Sequence, residues 1–403
     1  MKKVRSEFLT MAALILAGLI LHTPAYADVI LGQSCALSGP TSFLGIEMNR
    51  GAMAYFDKYA SDITLKALDD KYEPDRCIKN TNQLIQEDVT ALFAYVGTPT
   101  SKVAIPLATK NKKIFLGAFT GAGFLSDHKT NPFSFSVRAS YDAEIENMVL
   151  RLKKDLGISK ISLFVQKDAF GMVGVKGAVK AVKKLGGVEI IPEVPEIPTV
   201  SAPKEEWKKF WRFVPNYRRN TVSVGQGARQ VMGNRPEAVI MVGAYRPCAA
   251  VISLWKRLQF DAVFVNISFV GSKALAQACR GDVKNVLISQ VVPNPWDPRV
   301  AVVREYQQAL GDKKYGFVSL EGYISAKIMH TAIKNAGASV DSETLKSKME
   351  AMSKYDIGGL TVSFGPEDHR GLNAVYLTKI EAVQKDGGKF DYKFKYIDKI
   401  VRE

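Results

Sequence analysis

Short apolar runs rich in Val, Ile, Leu and Phe alternate along the chain with longer segments whose apolar positions recur every three to four residues. The short runs read as buried strands and the longer segments as amphipathic helices, the pattern of parallel sheets covered by helices on both faces. It predicts strand 29–32, helix 45–60, strand 63–68, helix 75–87, strand 91–96, helix 102–111 and strand 114–117. The rhythm restarts after Tyr141 with a helix to Leu156, strand 161–165, helix 173–185 and a strand at 188–191. Strand 238–242, helix 248–258 and strand 263–267 follow, so two similar α/β lobes are expected. Segment 192–215 breaks the rhythm with Pro192, Pro195, Pro198 and Pro203, then the run Trp207-Lys-Lys-Phe-Trp-Arg-Phe. It reads as an insertion whose aromatics fold back onto their own lobe, in preference to a membrane-surface or partner helix.

The first 27 residues follow a different pattern. Lys2, Lys3 and Arg5 precede an apolar stretch over 8–21, and Ala25-Tyr26-Ala27 supplies a small-x-small cleavage site. An export signal cleaved before Asp28 is expected, because the stretch falls short of the ~20 residues a membrane span needs. No cysteine follows the cleavage site to carry a lipid anchor, and no second long apolar run exists, so the mature product is expected in the periplasm. About 376 residues then remain, more than the ~250–300 at which single cores stop growing, which again points to two lobes.

Processing takes 55 basic and 40 acidic residues to 52 and 39, a net charge of about +13. The positive residues are scattered through helical patterns such as Arg151-Leu-Lys-Lys, with no basic arm, so they read as a solvated surface and not as a nucleic-acid footprint. Cys35, Cys77, Cys248 and Cys279 match no metal module; a Cys248–Cys279 disulfide is conceivable, a Cys35–Cys77 one is not favoured. Enzymatic chemistry finds little support. Only His128, His330 and His369 remain, and no His-Glu-x-x-His, Gly-x-Ser-x-Gly or P-loop appears. Gly225-Gln-Gly227 lacks the third glycine of a dinucleotide fingerprint, and Cys248 beside Arg246 reads as the start of a buried helix face. No catalytic residue, metal or cofactor is implied.

A series of motifs runs along the chain: Leu37-Ser-Gly-Pro, Leu44-Gly and Gly51-Ala, then Asp69-Asp70-Lys-Tyr-Glu-Pro-Asp, Val96-Gly-Thr-Pro-Thr-Ser and Gly117-Ala-Phe-Thr-Gly-Ala. Phe170-Gly, Val242-Gly-Ala-Tyr245, Leu320-Glu-Gly-Tyr and Gly359-Leu-Thr-Val-Ser-Phe complete it. In this order the series resembles the leucine/isoleucine/valine-binding protein family, the type I solute-binding proteins of ABC importers. The first three motifs are similar to the family's opening, the next to its acidic segment after the second strand, and the 96–101 and 117–122 motifs to its two ligand-holding turns. The resemblance covers nearly the whole mature chain except 192–215. It implies a monomer of two similar lobes, each a parallel sheet flanked by helices, joined by three crossovers, with a small-molecule ligand in the cleft. Residues 28–140 and 291–374 would form lobe I, 141–290 and 375–403 lobe II. It further implies delivery of the ligand to the membrane permease subunits of an ABC importer. A periplasmic sensing module read by a membrane signalling receptor is the alternative.

In open parallel sheets ligands sit beyond the carboxyl ends of the strands, where helix N-termini present unpaired N–H groups. Thr98, Thr100 and Ser101 stand at such a point, and their hydroxyls and amides suit a carboxylate, aided by the helix dipole. One of them is expected to cap a helix starting near Ser101. Thr120, Gly121 and Ala122 form a second turn whose small residues permit close backbone approach. Across the cleft, Phe170 and Tyr245 occupy positions where the resemblance places two aromatics, and Phe43, Leu44 and Phe317 match pocket-wall positions of the first lobe.

The family's amino-acid binders set an acidic residue of the second lobe against the ligand ammonium. The corresponding stretch here, Asn266-Ile-Ser-Phe-Val-Gly-Ser-Lys, has no carboxylate. A buried ammonium without a counter-charge is costly, so a carboxylate or amide ligand is expected ahead of a standard α-amino acid. Glu321 is the one other candidate partner, and as a helix-start glutamate it is expected to be solvated. The family's disulfide is missing too, since its two positions correspond to Tyr72 and the 98–101 turn.

Overall fold

The computed structural model describes residues 29–312, 314–337 and 340–402. The expected export signal lies outside them. Two sheets organise the chain. In the first, β1 (Val29–Cys35) pairs in parallel with β2 (Ile63–Asp69) and β3 (Ala91–Phe93), and β4 (Ile114–Leu116) and β5 (Ser134–Phe135) extend it, giving the order β2-β1-β3-β4-β5.

The second sheet is built on β6 (Lys160–Gln166), flanked by β7 (Glu189–Ile190) and, past the short β8 (Asn216–Tyr217), by β9 (Ala238–Val242). Next come β10 (Val263–Asn266) and β11 (Val286–Gln290), also parallel. After a separate two-stranded ribbon of β12 (Tyr355–Asp356) and β13 (Thr361–Val362), the antiparallel β14 (Tyr376–Gln384) and β15 (Phe390–Tyr396) close the far edge on β11. The run β7-β6-β9-β10-β11 repeats the winding of the first sheet. Each sheet therefore reverses direction once, between β1 and β3 and between β6 and β9, and such switch points open a crevice at the carboxyl ends of the strands.

Local chemistry explains the elements. β9 is buried at every position and reads as an unbroken apolar run, whereas β15 alternates exposed residues with half-buried ones and the buried Phe394, as an edge with one wet face must. Helix Phe317–Ala336 returns to pack on helix Ser42–Tyr59 at two glycines. A Cβ on Gly51 would lie 1.8 Å from the Ser319 carbonyl oxygen, and one on Gly322 2.2 Å from that of Met48, so only glycine allows the approach. In the insertion, helix Lys204–Phe213 turns Phe210 and Trp211 into the core, with Trp207 edge-on to Phe210.

Several expectations are corrected. The helices that open onto the cleft start earlier than their periodicity predicts: at Thr98 instead of 102, at Ala169 instead of 173, and at Tyr245 instead of 248. Their first turns, Thr98-Pro-Thr, Ala169-Phe-Gly and Tyr245-Arg-Pro, interrupt the apolar repeat. All four cysteines are free and buried, Cys248 and Cys279 included, and burial holds their thiols far above the usual range, Cys279 at about 12. Among the described residues no helix is long and apolar enough to cross a membrane, and no cluster of His, Cys, Asp or Glu could hold a metal ion.

Candidate functional site

The two switch points face each other, and the turns that leave them interlock. Gly97 takes φ +101°, a conformation open to glycine, and begins helix Thr98–Lys110 with no side-chain cap. Pro99 lies in the first turn, where a missing N–H costs nothing. The hydroxyls of Thr98 and Thr120 meet at 2.7 Å, joining the two turns predicted to hold the ligand. Thr100 instead spends its proton on the Val96 and Gly97 carbonyls (2.5 and 3.0 Å), while the Ser101 hydroxyl is buried without a hydrogen-bond partner. The Ala122 amide turns back to Thr120 Oγ1 at 3.4 Å. Gly121 packs under the crossover, where an added Cβ would lie 2.8 Å from the Tyr141 ring and from its amide nitrogen.

From the second lobe, Phe269 enters between these turns. It is fully buried, with ring centroids 4.6 Å from Phe170, 5.5 Å from Phe119 and 6.0 Å from Tyr72, so rings of both lobes form an aromatic box around it. Tyr72 packs against Gly97, where a Cβ would stand 2.1 Å from its ring. At the first of the two positions that the resemblance assigns to a disulfide, a ring thus packs on the backbone just before the 98–101 turn. Gln166 donates to the Tyr72 hydroxyl across the cleft (3.2 Å) and accepts from Tyr217 (3.0 Å), whose oxygen receives the Ala244 amide (2.8 Å). At the rim Arg219 ties Glu73 of the first lobe (2.8 Å) to Asp168 of the second (3.3 Å). Asp168 also caps helix Ala169–Leu185 through the Phe170 amide (2.9 Å), which fixes that ring.

The other predicted wall residues lie apart from the box. Tyr245 stands edge-on to Phe43 at 6.0 Å, and Leu44 packs on Gly271. Phe317 joins Trp296, Phe394 and Tyr396 beside the closing strands of the second sheet.

Sequence reasoning missed the buried charged centre between the two sheets. Arg138, on the first crossover, is 1% exposed; Glu144 and Glu321 are 0% and 3%. The Arg138 guanidinium lies 3.5 Å from Glu144 of the second lobe and 3.5 Å from Glu321 of the first, and donates to Ser268. Glu144 accepts from the Ser268 amide (2.8 Å), the Ser268 hydroxyl (2.9 Å) and Ser289. Ser140 caps helix Tyr141–Leu156 through the Ala143 amide (3.1 Å), which points Tyr141 and Glu144 at this centre. Glu321 is therefore not the solvated helix-start residue expected. The one available signal was a lone charge in Phe135-Ser-Val-Arg-Ala-Ser-Tyr, between strand and helix at a crossover.

Residues 29–389 match the family model described as periplasmic binding protein. The chain belongs to that family. A crystal structure described as a possible leucine/isoleucine/valine-binding protein from Rhodopirellula baltica SH 1 is 33% identical, over 93% of this chain and 98% of that one, with a TM-score of 0.78. A substrate-binding periplasmic protein from Ralstonia solanacearum shares the fold at 24% identity and TM-score 0.77, over 91% of this chain and all of that one. A curated relative from Brucella melitensis, Leu/Ile/Val-binding protein homolog 3, is 27% identical over 176 residues, 41% of this chain and 46% of that protein. The α/β architecture with two parallel sheets is the type I periplasmic binding protein fold, and the family is one of binding proteins, not enzymes.

Burial raises the Glu321 carboxyl to about 7, and the Arg138 charge only partly offsets that cost. Because the folded value exceeds the unfolded one, the stability tied to its proton is fully present below about pH 4.5 and is lost as pH rises through 7, about 3 kcal/mol in all. Glu321→Gln should remove this slope and gain most of that amount at pH 8 relative to pH 4.5. Urea denaturation at the two pH values measures it; parallel pH dependence in both proteins would assign the carboxyl an ordinary value.

Proposed function

We propose that this chain is a periplasmic solute-binding protein that captures a small organic carboxylate or amide with an apolar body and hands it to the permease of an ABC importer. The observation that carries the reading is the meeting of both switch points in one aromatic box, with the Thr98 and Thr120 hydroxyl pair beside it and no carboxylate on the turn that supplies Phe269. Phe269 fills the box, so its rings offer an apolar wall to a flat or branched group beside them, and the hydroxyls with the N-terminal amides of helix Thr98–Lys110 suit an anionic or amide end. The relatives described as leucine/isoleucine/valine-binding support uptake of small apolar metabolites in general. The acidic ammonium partner that the resemblance implies has no counterpart in 266–273. Export through the 1–27 signal and a monomeric state go with this role.

Mass spectrometry of whatever co-purifies with periplasmic protein tests the ligand class directly. Tyr245→Ala should weaken binding of that compound by about 1–3 kcal/mol, the scale of one lost aromatic burial or charged hydrogen bond, measured below a melting temperature that also falls because Tyr245 is buried against Phe43. Unchanged affinity by calorimetry would move the cleft away from Tyr245. Recovery of a free α-amino acid as the bound species would defeat the ligand class.

A further inference from the structure

The buried charged centre holds more hydrogen-bond donors than its protein partners use. A guanidinium presents five N–H donors in a planar fork that matches a carboxylate. In Arg138 only Nη2 donates, to Ser268 and at 3.5 Å to Glu144; Nε and Nη1 are buried with no hydrogen-bond partner, and the approach of Nη1 to Glu321 at 3.5 Å lacks hydrogen-bond geometry. Buried charged donors left unpaired are more costly than neutral ones. Two further buried hydroxyls, those of Tyr141 and Ser101, are likewise without partners. The guanidinium lies 4.8 Å over the Phe119 ring and 5.8 Å from the Tyr141 ring. Phe119 in turn touches Phe269, and Tyr141 touches Phe170 at 5.6 Å, so Arg138 adjoins the aromatic box through two of its neighbours.

We propose that Arg138 is the charged anchor of the ligand carboxylate, and that Glu321 takes up a proton when that anion binds. The proposal rests on the reading of the cleft as the ligand site and names the charge that site selects. Glu144, supplied with donors by Ser268 and Ser289, is the standing counter-charge of Arg138. Glu321 is the second carboxylate around a single cation, and burial has already raised it to about 7. The charged and titratable groups that face it are Arg138 from the crossover and Glu144 from helix Tyr141–Leu156; Glu47 and Arg50 on helix Ser42–Tyr59 pair with each other at 2.8 Å beside Ser319. An incoming anion competes with ionised Glu321 for the same guanidinium. It is accepted when Glu321 is neutral and opposed when Glu321 is charged.

Calorimetric titration of 3-phenylpropionate and 3-phenylpropanamide into the full protein at pH 6 and pH 8 tests this. The acid should bind about tenfold more weakly at pH 8, because the protonated fraction of a group titrating near 7 falls by that factor, whereas the amide should bind equally at both. Glu321→Gln should bind the acid at pH 8 as tightly as the unmodified protein does at pH 6. Arg138→Lys, which keeps the charge but loses the fork, should weaken the acid about tenfold or more and the amide little. Equal affinity for the acid at both pH values, or equal weakening of acid and amide by Arg138→Lys, would overturn the anchor while leaving the cleft in place. Failure of both compounds to bind the unmodified protein would overturn the cleft reading itself.

Discussion

Arg138→Met should lower folding stability at pH 8 by about 3–5 kcal/mol, the cost of removing one partner from a buried charge cluster. Methionine matches much of the arginine stem, so lost packing accounts for little of the effect. What remains is the Glu144 and Glu321 carboxylates, 0% and 3% exposed, with no cation between them. Ser268 and Ser289 still donate to Glu144, which keeps the loss below that of a bare buried charge. The loss should shrink as the pH falls through 7, since protonating Glu321 removes one of the two stranded charges. For the same reason Arg138→Met combined with Glu321→Gln should be more stable at pH 8 than Arg138→Met alone. Urea denaturation of the four proteins at pH 5 and pH 8 forms a double-mutant cycle. Additive losses would show that the two residues do not interact.

The same cluster marks where the sequence stopped being legible. Strands such as β9 and β6 are readable because burial on both faces leaves an apolar run that no other local structure explains, and their observed ends fall within a residue of those expected. The turns that carry Thr98 and Thr120 are readable as turns because each follows a strand of the first sheet with a glycine nearby, where the winding opens a crevice. Phe269 and Arg138 were not. Phe269 is one phenylalanine among 20, and nothing local distinguishes a ring that crosses to the other lobe from one that stays in its own core. Arg138 depends on contacts with residues more than a hundred positions away in Ser268 and Glu321, and only the return of helix Phe317–Ala336 to the first lobe brings the latter in. The helix starts failed for a local reason, because Thr98-Pro-Thr, Ala169-Phe-Gly and Tyr245-Arg-Pro carry no apolar repeat. Glu321 was identified as the alternative charge, yet its burial against Arg138 changes what it can do.

Deaminated acids should bind at least about 100-fold more tightly than their parent α-amino acids, a difference of about 3 kcal/mol. An ammonium in the closed cleft needs a carboxylate whose oxygens are available. Glu144 already accepts from Ser268 and Ser289, and Glu321 is held 3.5 Å from Arg138 with its carboxyl raised to about 7. Ionising Glu321 to receive an ammonium would also place that second cation near Arg138, a like-charge approach in a medium that screens poorly. A carboxylate end meets the opposite situation, with the Thr98 and Thr120 hydroxyls, helix-terminal amides and the unpaired nitrogens of Arg138 all donors. Two matched pairs decide between these outcomes by calorimetry: phenylalanine against 3-phenylpropionate, and leucine against 4-methylpentanoate. The second pair speaks to the relatives described as leucine/isoleucine/valine-binding. Tight binding of leucine with none of 4-methylpentanoate would make Glu321 the ammonium partner, and Arg138 would then serve only to hold that carboxylate in place.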